Sequence, residues 1–256
     1  MPRLYGFILL FSFLFASTMA TAQPKVSVAV ASNMQGVIAY LNAAFEEESH
    51  VKVEINVASS GKLYAQIIQG APYDVFVSAD MKYPQELFKN GFAPNAPVTY
   101  AIGQLVLWTP NTQMKIGADL QILLSPGIRK IAMGNPKSAP YGKAAEEALK
   151  YFKMYDKVKP KLVFGESIGQ TEQFISVGGA DLGFIAKSLL MSEKINGKGS
   201  WVDIVSKAYT PIRQGVAVLK HGEANNKEAS KLYYQFLFSP KARAIFAKYG
   251  YIVEGK

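Results

Sequence analysis

Serine and glycine residues follow predicted strands at four places in this chain, and residues of these types can bind an anion there. Ser32 and Ser60 each follow a strand of alternating apolar residues, and glycine-rich loops at residues 134–142 and 165–169 follow two later strands. In each case the next residues are predicted to form a helix, whose first turn has unpaired N–H groups and a partial positive charge. A single junction of this kind is an ordinary capped turn, but four of them favour an anion site.

The elements that position these junctions can be identified from hydrophobic periodicity. Before Ser32, valines alternate with small residues as in a half-buried strand, and after it the apolar residues recur on one helical face. The residues of that face are Met34, Val37, Ile38, Leu41 and Phe45. Strands and helices continue to alternate along the chain, which predicts an α/β fold with mainly parallel sheets. A loop at residues 92–98 is predicted to lead into a strand at residues 105–108. On a helix near the C-terminus, the residues expected to face inward are Leu232, Tyr233, Phe236 and Leu237.

The order of these elements predicts two lobes. The chain leaves the first group of strands near residue 103 and returns near residue 211. We therefore expect a first lobe at residues 23–103 and 211–256, and a second lobe at residues 104–210. Ligands bind at the carboxyl ends of parallel strands, so the four junctions are expected to meet in a cleft that a hinge can close.

The first 22 residues have the pattern of a secretory signal peptide. Arg3 precedes an apolar run, and small residues follow up to Ala22. This pattern predicts export with cleavage after Ala22 and therefore a periplasmic location. No later segment is long and apolar enough to cross a bilayer.

Composition narrows the function classes further. The chain of 256 residues has no cysteine, which excludes disulfides, thiolate metal sites, a cysteine nucleophile and a lipid on an N-terminal cysteine. The formal charge of +9 becomes +8 without Arg3, and the lysines are scattered without an arginine-rich patch, so nucleic acid is not an expected partner. Clusters of histidine and tyrosine at metal-ligand spacing are also absent from the sequence, which disfavours an iron site.

The donors at the four junctions suit a fully ionised tetrahedral anion. A hydrogen bond to a charged group contributes about 1.5–3 kcal/mol. If about six such bonds form, the net free energy of binding after the cost of desolvation is roughly 12 kcal/mol, which corresponds to nanomolar affinity. A site that offers only donors excludes a protonated anion, because the proton of that anion needs an acceptor.

The chain carries recognisable motifs at residues 28–32, 58–63 and 70–80, and further ones at residues 134–136, at 182–184 and in the C-terminal helix. In these segments it resembles the periplasmic molybdate-binding proteins of molybdate ABC importers. The resemblance implies a type II periplasmic binding protein, a monomer that binds molybdate or tungstate and delivers it to an inner-membrane ABC permease. It implies no cofactor, since the oxyanion is held by hydrogen bonds as transported ligand.

The resemblance also implies which residues bind the anion. Ser32 and Ser60 would bind it through hydroxyl and backbone amide, and Tyr141 and Ile168 through their backbone amides. Ala186 stands where well-known members of the family place a tyrosine hydroxyl on the anion. One donor is therefore missing, with Ser167 or a water as its expected replacement.

Two other functions compete with this interpretation. The chain could bind another small oxyanion such as sulfate, because the same donors suit any tetrahedral dianion. Residues 165–169 also match the G-x-S-x-G motif of serine hydrolases, with Ser167 as nucleophile and His221 as base. The acid of that triad would be Asp181 or Asp203, which lie between the two in sequence.

Overall fold

A computed structural model describes residues 23–253. The predicted signal peptide, residues 1–22, and its cleavage after Ala22 lie outside the described residues. Within the described part of the chain, no helix is long and apolar enough to cross a membrane.

The first of two five-stranded sheets has the strand order β2-β1-β3-β10-β4. Strands β1, β2 and β3 are parallel to one another, and β10 runs antiparallel to both β3 and β4. Four strands therefore point the same way, as predicted, and only β10 is reversed. The strands are β1 (Lys25–Ala31), β2 (Lys52–Ala58), β3 (Val75–Val77), β4 (Val98–Gly103) and β10 (Ile212–Val218).

The second sheet repeats this arrangement with the order β7-β6-β8-β5-β9. Strand β6 is parallel to β7 and β8, and β5 is antiparallel to β8 and β9. Again a single strand, β5, is reversed. The strands are β5 (Leu105–Thr109), β6 (Ile131–Gly134), β7 (Leu162–Gly165), β8 (Leu182–Ala186) and β9 (Ser200–Asp203).

Helices flank both sheets and complete two lobes. We call the first sheet with α1–α3 and α8–α10 the first lobe, and the second sheet with α4–α7 the second lobe. The helices are α1 (Ile38–Ser49), α2 (Ser60–Ile68), α3 (Lys82–Lys89), α4 (Pro140–Tyr151), α5 (Tyr155–Val158), α6 (Ile168–Ser176), α7 (Lys187–Leu190), α8 (Lys220–Asn225), α9 (Lys227–Phe236) and α10 (Pro240–Lys248). Short 3-10 helices form at Ser32–Met34, Gln121–Leu124, Lys159–Lys161 and Ser206–Ala208.

The alternation of β1 places its side chains in two different cores of the first lobe. Val26, Val28 and Val30 pack with residues of α1, α9 and α10, whereas Ala29 packs on the opposite face with residues of α2 and α3. Successive side chains of a strand point to opposite faces of the sheet, so a strand covered on both faces is apolar throughout. Strand β1 is consequently held rigidly, and its C-terminal end fixes the position of Ser32.

The structure differs from the sequence prediction at three points. Strand β4 lies where the sequence indicated only a loop that leads into β5. The first helix begins at Ile38 instead of Met34, because a 3-10 turn and a bend come first. Leu232 was expected to face inward with its neighbours on α9 but is 42% exposed.

Candidate anion-binding site

Residues from all four predicted junctions surround one small cavity between the lobes. The predicted site residues Ser32, Ser60, Tyr141 and Ile168 all line it, and each is at most 4% exposed. The free volume of the cavity is only about 10 Å³, which restricts it to very small ligands and excludes a sugar or a peptide. The full lining is Ala31, Ser32, Asn33, Ser59, Ser60, Ala79, Ala139, Pro140, Tyr141 and Ile168.

The two serine hydroxyls are oriented by backbone donors. The N–H of Ala79 donates to Ser60 Oγ at 3.0 Å, and the N–H of Gly169 donates to Ser32 Oγ at 3.3 Å. A hydroxyl that accepts one hydrogen bond still has its own hydrogen to donate. Ser32 and Ser60 can therefore each donate an O–H to a ligand in the cavity.

The remaining junctions contribute the first turns of helices. Ser60 and Ile168 are the first residues of α2 and α6, and Tyr141 is the second residue of α4. The N–H groups of a first helical turn have no partner within the helix. No charged side chain lines the cavity, so backbone amides and hydroxyls supply its positive potential.

The side chain of Tyr141 is uncharged and belongs to a buried hydrogen-bond network. Gln214 Nε2 donates to Tyr141 Oη at 3.5 Å and to the carbonyl oxygen of Ala79 at 3.3 Å. Burial raises the pKa of the Tyr141 phenol well above its usual value, so the hydroxyl stays neutral. The hydroxyl of Tyr141 thus links the second lobe to strand β10 of the first lobe by a hydrogen bond.

Asn33 lines the cavity and was not among the predicted site residues. Its Nδ2 donates to Gln214 Oε1 at 2.9 Å and to Tyr251 Oη at 2.7 Å. Its Oδ1 is buried without a hydrogen-bond partner. One residue of the lining therefore offers a hydrogen-bond acceptor, although the sequence predicted a lining of donors only. In the sequence, only the position of Asn33 next to Ser32 indicated that it could belong to the site.

Ser167 does not occupy the place of the missing hydroxyl. It caps α6, where its Oγ accepts from the N–H of Gln170 at 3.2 Å, and it is not among the lining of the small cavity. Ser167 instead lines a second cavity of about 260 Å³, which we call the outer cleft, together with Gln35, Lys62 and Glu166. Ala186 is fully buried at the end of β8.

The residues of the alternative hydrolase triad are not brought together. His221 Nδ1 pairs with Asp74 Oδ1 at 2.7 Å. The carboxylate of Asp181 accepts from the backbone of the loop before β6, and that of Asp203 pairs with Lys187 at 2.9 Å. The predicted acid partners of His221 are therefore engaged elsewhere, and the structure does not favour the interpretation of residues 165–169 as a nucleophile motif.

The two aspartates of the 70–80 segment have structural roles. Asp74 is fully buried and accepts from the N–H of Ser27 and from Asn226 Nδ2. Asp80 accepts from the N–H of Tyr83 at the start of α3, and burial raises the pKa of its carboxyl. Neither residue lines the small cavity, so no carboxylate competes there with an anion.

Two α/β lobes that enclose a small polar cavity define a two-lobed solute-binding protein. The family model for bacterial extracellular solute-binding proteins matches residues 26–252, and the chain belongs to that family. It is 38% identical to the molybdate-binding protein ModA of Rhodobacter capsulatus over 234 residues, which are 91% of this chain and 90% of that protein. It is 36% identical to ModA of Azotobacter vinelandii, with 91% of each chain covered.

Solved structures agree with this assignment. The periplasmic molybdate-binding protein of Azotobacter vinelandii superposes with a TM-score of 0.85 and 35% identity, covering 90% of this chain and all of that one. The sulfate-binding protein SubI of Mycobacterium tuberculosis H37Rv shares the fold, with a TM-score of 0.69 at 16% identity over 89% of this chain and 86% of that one. The expected type II periplasmic binding protein fold is therefore confirmed.

Proposed function

We propose that this protein binds the oxyanions molybdate and tungstate outside the cytoplasm and delivers them to an ABC permease in the inner membrane. The two ModA relatives are molybdate-binding by name and match nine-tenths of the chain. The single observation that carries the proposal is the orientation of Ser32 and Ser60, whose hydroxyls accept backbone N–H groups and have O–H groups left to donate.

The ligand is held without metal-ligand bonds. In this proposal Ser32 and Ser60 bind the oxyanion by hydroxyl and amide, and Tyr141 and Ile168 by their amides. Asn33 does not replace the hydroxyl that Ala186 lacks, because both hydrogens of its Nδ2 are donated to Gln214 and Tyr251. About six such bonds are consistent with an affinity near the nanomolar range.

The two lobes act as the moving parts of the binding cycle. We assign residues 23–103 and 211–256 to one rigid body and residues 104–210 to the other. The anion binds first to Ser32 and Ser60 in the open form, and the N-termini of α4 and α6 then close over it. The permease recognises the closed form of the monomer, after export and cleavage near Ala22.

The proposal is tested by calorimetry and thermal unfolding of the mature chain with molybdate, tungstate, sulfate and phosphate. At a ligand concentration 100 times Kd, binding stabilises the folded state by about 2.7 kcal/mol. We expect molybdate and tungstate to reach this stabilisation at micromolar concentration or below, and sulfate and phosphate to need far more. Equal stabilisation by sulfate and molybdate would contradict the assignment to molybdate.

A further inference from the structure

Three glycines lie where the lobes touch, and each is within four residues of one that lines the small cavity. Gly36 follows the 3-10 turn of Ser32, Gly61 follows Ser60 in α2, and Gly169 follows Ile168 in α6. We call Gly36, Gly61 and Gly169 the seam glycines. None of them has a positive φ, so an alanine suits the backbone conformation of each.

A side chain at Gly36 or Gly61 would collide with the backbone of the other lobe. A Cβ on Gly36 would lie 2.6 Å from Ser192 Cβ and 3.0 Å from the carbonyl oxygen of Ser188. A Cβ on Gly61 would lie 3.0 Å from both Cα and the carbonyl oxygen of Ser138, and 2.8 Å from Tyr83 Oη, the end of a side chain of its own lobe. Non-bonded carbon atoms normally approach only to about 3.5–4.0 Å, so a methyl group at Gly36 forces Ser192 to shift, and one at Gly61 requires the backbone of Ser138 to move by a few tenths of an ångström.

The same contacts contain hydrogen bonds between the lobes. The N–H of Gly61 donates to the carbonyl of Ser138 at 3.0 Å, and Ser188 Oγ donates to the carbonyl of Asn33 at 2.8 Å. These bonds are short enough to form only if the lobes approach as closely as they do here. The contacts at Gly36 and Gly61 therefore limit how closely the lobes approach, and the hydrogen bonds beside them hold the lobes together in the closed form.

At Gly169 an added side chain should obstruct the approach of the lobes less than at the other two seam glycines. Its added Cβ would lie 2.1 Å from Gln35 Oε1 but 3.4 Å from Ser32 Cβ. The Gln35 amide is the end of a flexible side chain and can rotate away, whereas the backbone of Ser138 and Ser188 cannot. A substitution at Gly169 should therefore hinder closure less than one at Gly36 or Gly61.

We propose that Gly36 and Gly61 are positioning residues that set how closely the lobes approach, and thereby complete the anion cavity without touching the anion. This inference rests on the proposed function, because closure is measured through ligand binding. In the open form an added methyl group at either position meets no opposing lobe. Within its own lobe, alanine at Gly61 requires only the Tyr83 hydroxyl, the end of a side chain, to move aside, and alanine is a better helix former than glycine.

The test compares Gly36→Ala and Gly61→Ala with the wild-type mature chain. Three quantities are measured: Kd for molybdate, the decrease in radius of gyration on adding molybdate by small-angle X-ray scattering, and the melting temperature without ligand. We expect Kd to rise ten- to a hundredfold, the decrease in radius of gyration to shrink, and the melting temperature without ligand to stay the same or rise. Gly169→Ala should raise Kd by less than about fivefold, since Gln35 can rotate.

Two further variants serve as controls. Gly127→Ala, whose added Cβ has Ser125 Oγ at 3.7 Å as its nearest neighbour, should behave as wild type in all three measurements. Ser192→Gly removes the atom closest to a Cβ on Gly36, so the double variant Gly36→Ala/Ser192→Gly should bind molybdate several-fold more tightly than Gly36→Ala alone.

Each other outcome has a defined meaning. Wild-type affinity and compaction in both Gly36→Ala and Gly61→Ala would overturn the inference. A lower melting temperature of these variants without ligand would also overturn it, because the glycines would then be needed for the folding of their own lobe. Failure of the wild-type chain to bind molybdate would instead overturn the proposed function.

Discussion

At the scale of single residues, the site depends on neutral groups whose hydrogen atoms have a fixed direction. Ser60 is fully buried, and its Oγ already accepts from the N–H of Ala79. Its side chain therefore offers a ligand one hydrogen, that of the O–H, and rotation of the hydroxyl is restricted before the ligand arrives. Such preorganisation lowers the entropy lost on binding.

We predict that Ser60→Ala weakens molybdate binding about 10- to 100-fold, since a hydrogen bond to a charged group contributes about 1.5–3 kcal/mol. Calorimetry measures the change. Ser239→Ala is the matched control, because Ser239 caps α10 and accepts from the N–H of Ala242 at 3.1 Å. This control should lose about 1 kcal/mol of stability without a change in Kd. Equal affinities of Ser60→Ala and wild type would exclude Ser60 as a ligand.

Asn33 shows what a single sequence cannot reveal at this scale. Its Nδ2 is directed by Gln214, which is 181 residues away in the chain. Gln214 is in turn oriented by the carbonyl groups of Ala79 and Ile212. The free Oδ1 of Asn33 follows from this chain of contacts, which no local pattern encodes.

At the scale of elements, the strand-to-helix junctions were predictable because two local signals coincide at each. The period of apolar residues changes from strand to helix, and a residue with a small side chain stands at the change. At α2 the predicted capping chemistry is present, with Ser59 Oγ accepting from the N–H of Lys62. The convergence of the four junctions followed from the α/β alternation and the general location of ligands in such sheets.

Elements determined by tertiary contacts were missed. Strand β4 contacts β10 across a register shift, and that pairing joins segments about a hundred residues apart. The error at Leu232 has a local cause: neighbouring residues on a helix point about 100° apart, and the buried face of α9 runs through Ala229, Tyr233 and Phe236, which leaves Leu232 at its edge. A continuous apolar run therefore does not define which face of a helix is buried.

The connection between α6 and β8 provides a prediction on pH dependence. The carboxylate of Asp181 accepts from the N–H groups of Arg129 and Lys130, both at 2.8 Å, and so holds the loop before β6. Partial burial alone would raise the pKa of Asp181, but these two donors and the neighbouring positive charges lower it below its usual value. A lowered pKa in the folded state adds stability that is present at neutral pH and is lost as pH falls through that pKa.

We therefore predict that Asp181→Asn is less stable than wild type at pH 7 by about 1 kcal/mol, or about 2–4 °C in Tm. The difference should disappear in strong acid, where Asp181 of the wild type is also neutral. Melting curves across the acidic range measure both effects. Asp156→Asn, at an exposed position in α5, removes the same charge and should change Tm little. A difference between Asp181→Asn and wild type that persists unchanged in acid would contradict the explanation.

At the scale of the whole molecule, the two lobes have the same strand order and each reversed strand lies beside a crossover. Strand β5 begins two residues after β4 ends, and β10 returns the chain to the first sheet. Gln214 of β10 is fully buried and contacts Asn33 in the first lobe and Tyr141 in the second. The crossover region thus lies directly behind the cavity, where a change in lobe orientation moves residues on both sides of the anion.

The distribution of charge over the molecule gives the last prediction. The chain has a formal net charge of +9, yet no charged side chain lines the small cavity. Affinity should therefore depend on short hydrogen bonds that salt screens poorly, and the scattered lysines should act mainly on the rate of association.

We predict that Kd for molybdate changes by less than about threefold between about 0.15 M and about 1 M sodium chloride, although the Debye length falls from about 8 Å to about 3 Å. The association rate should fall over the same range. Lys62 lines the outer cleft, so Lys62→Gln should slow association while Kd in high salt stays near the wild-type value. Calorimetry and stopped-flow measurements separate the two effects. A loss of affinity of more than about tenfold in high salt would mean that basic side chains, and not the neutral lining, hold the anion.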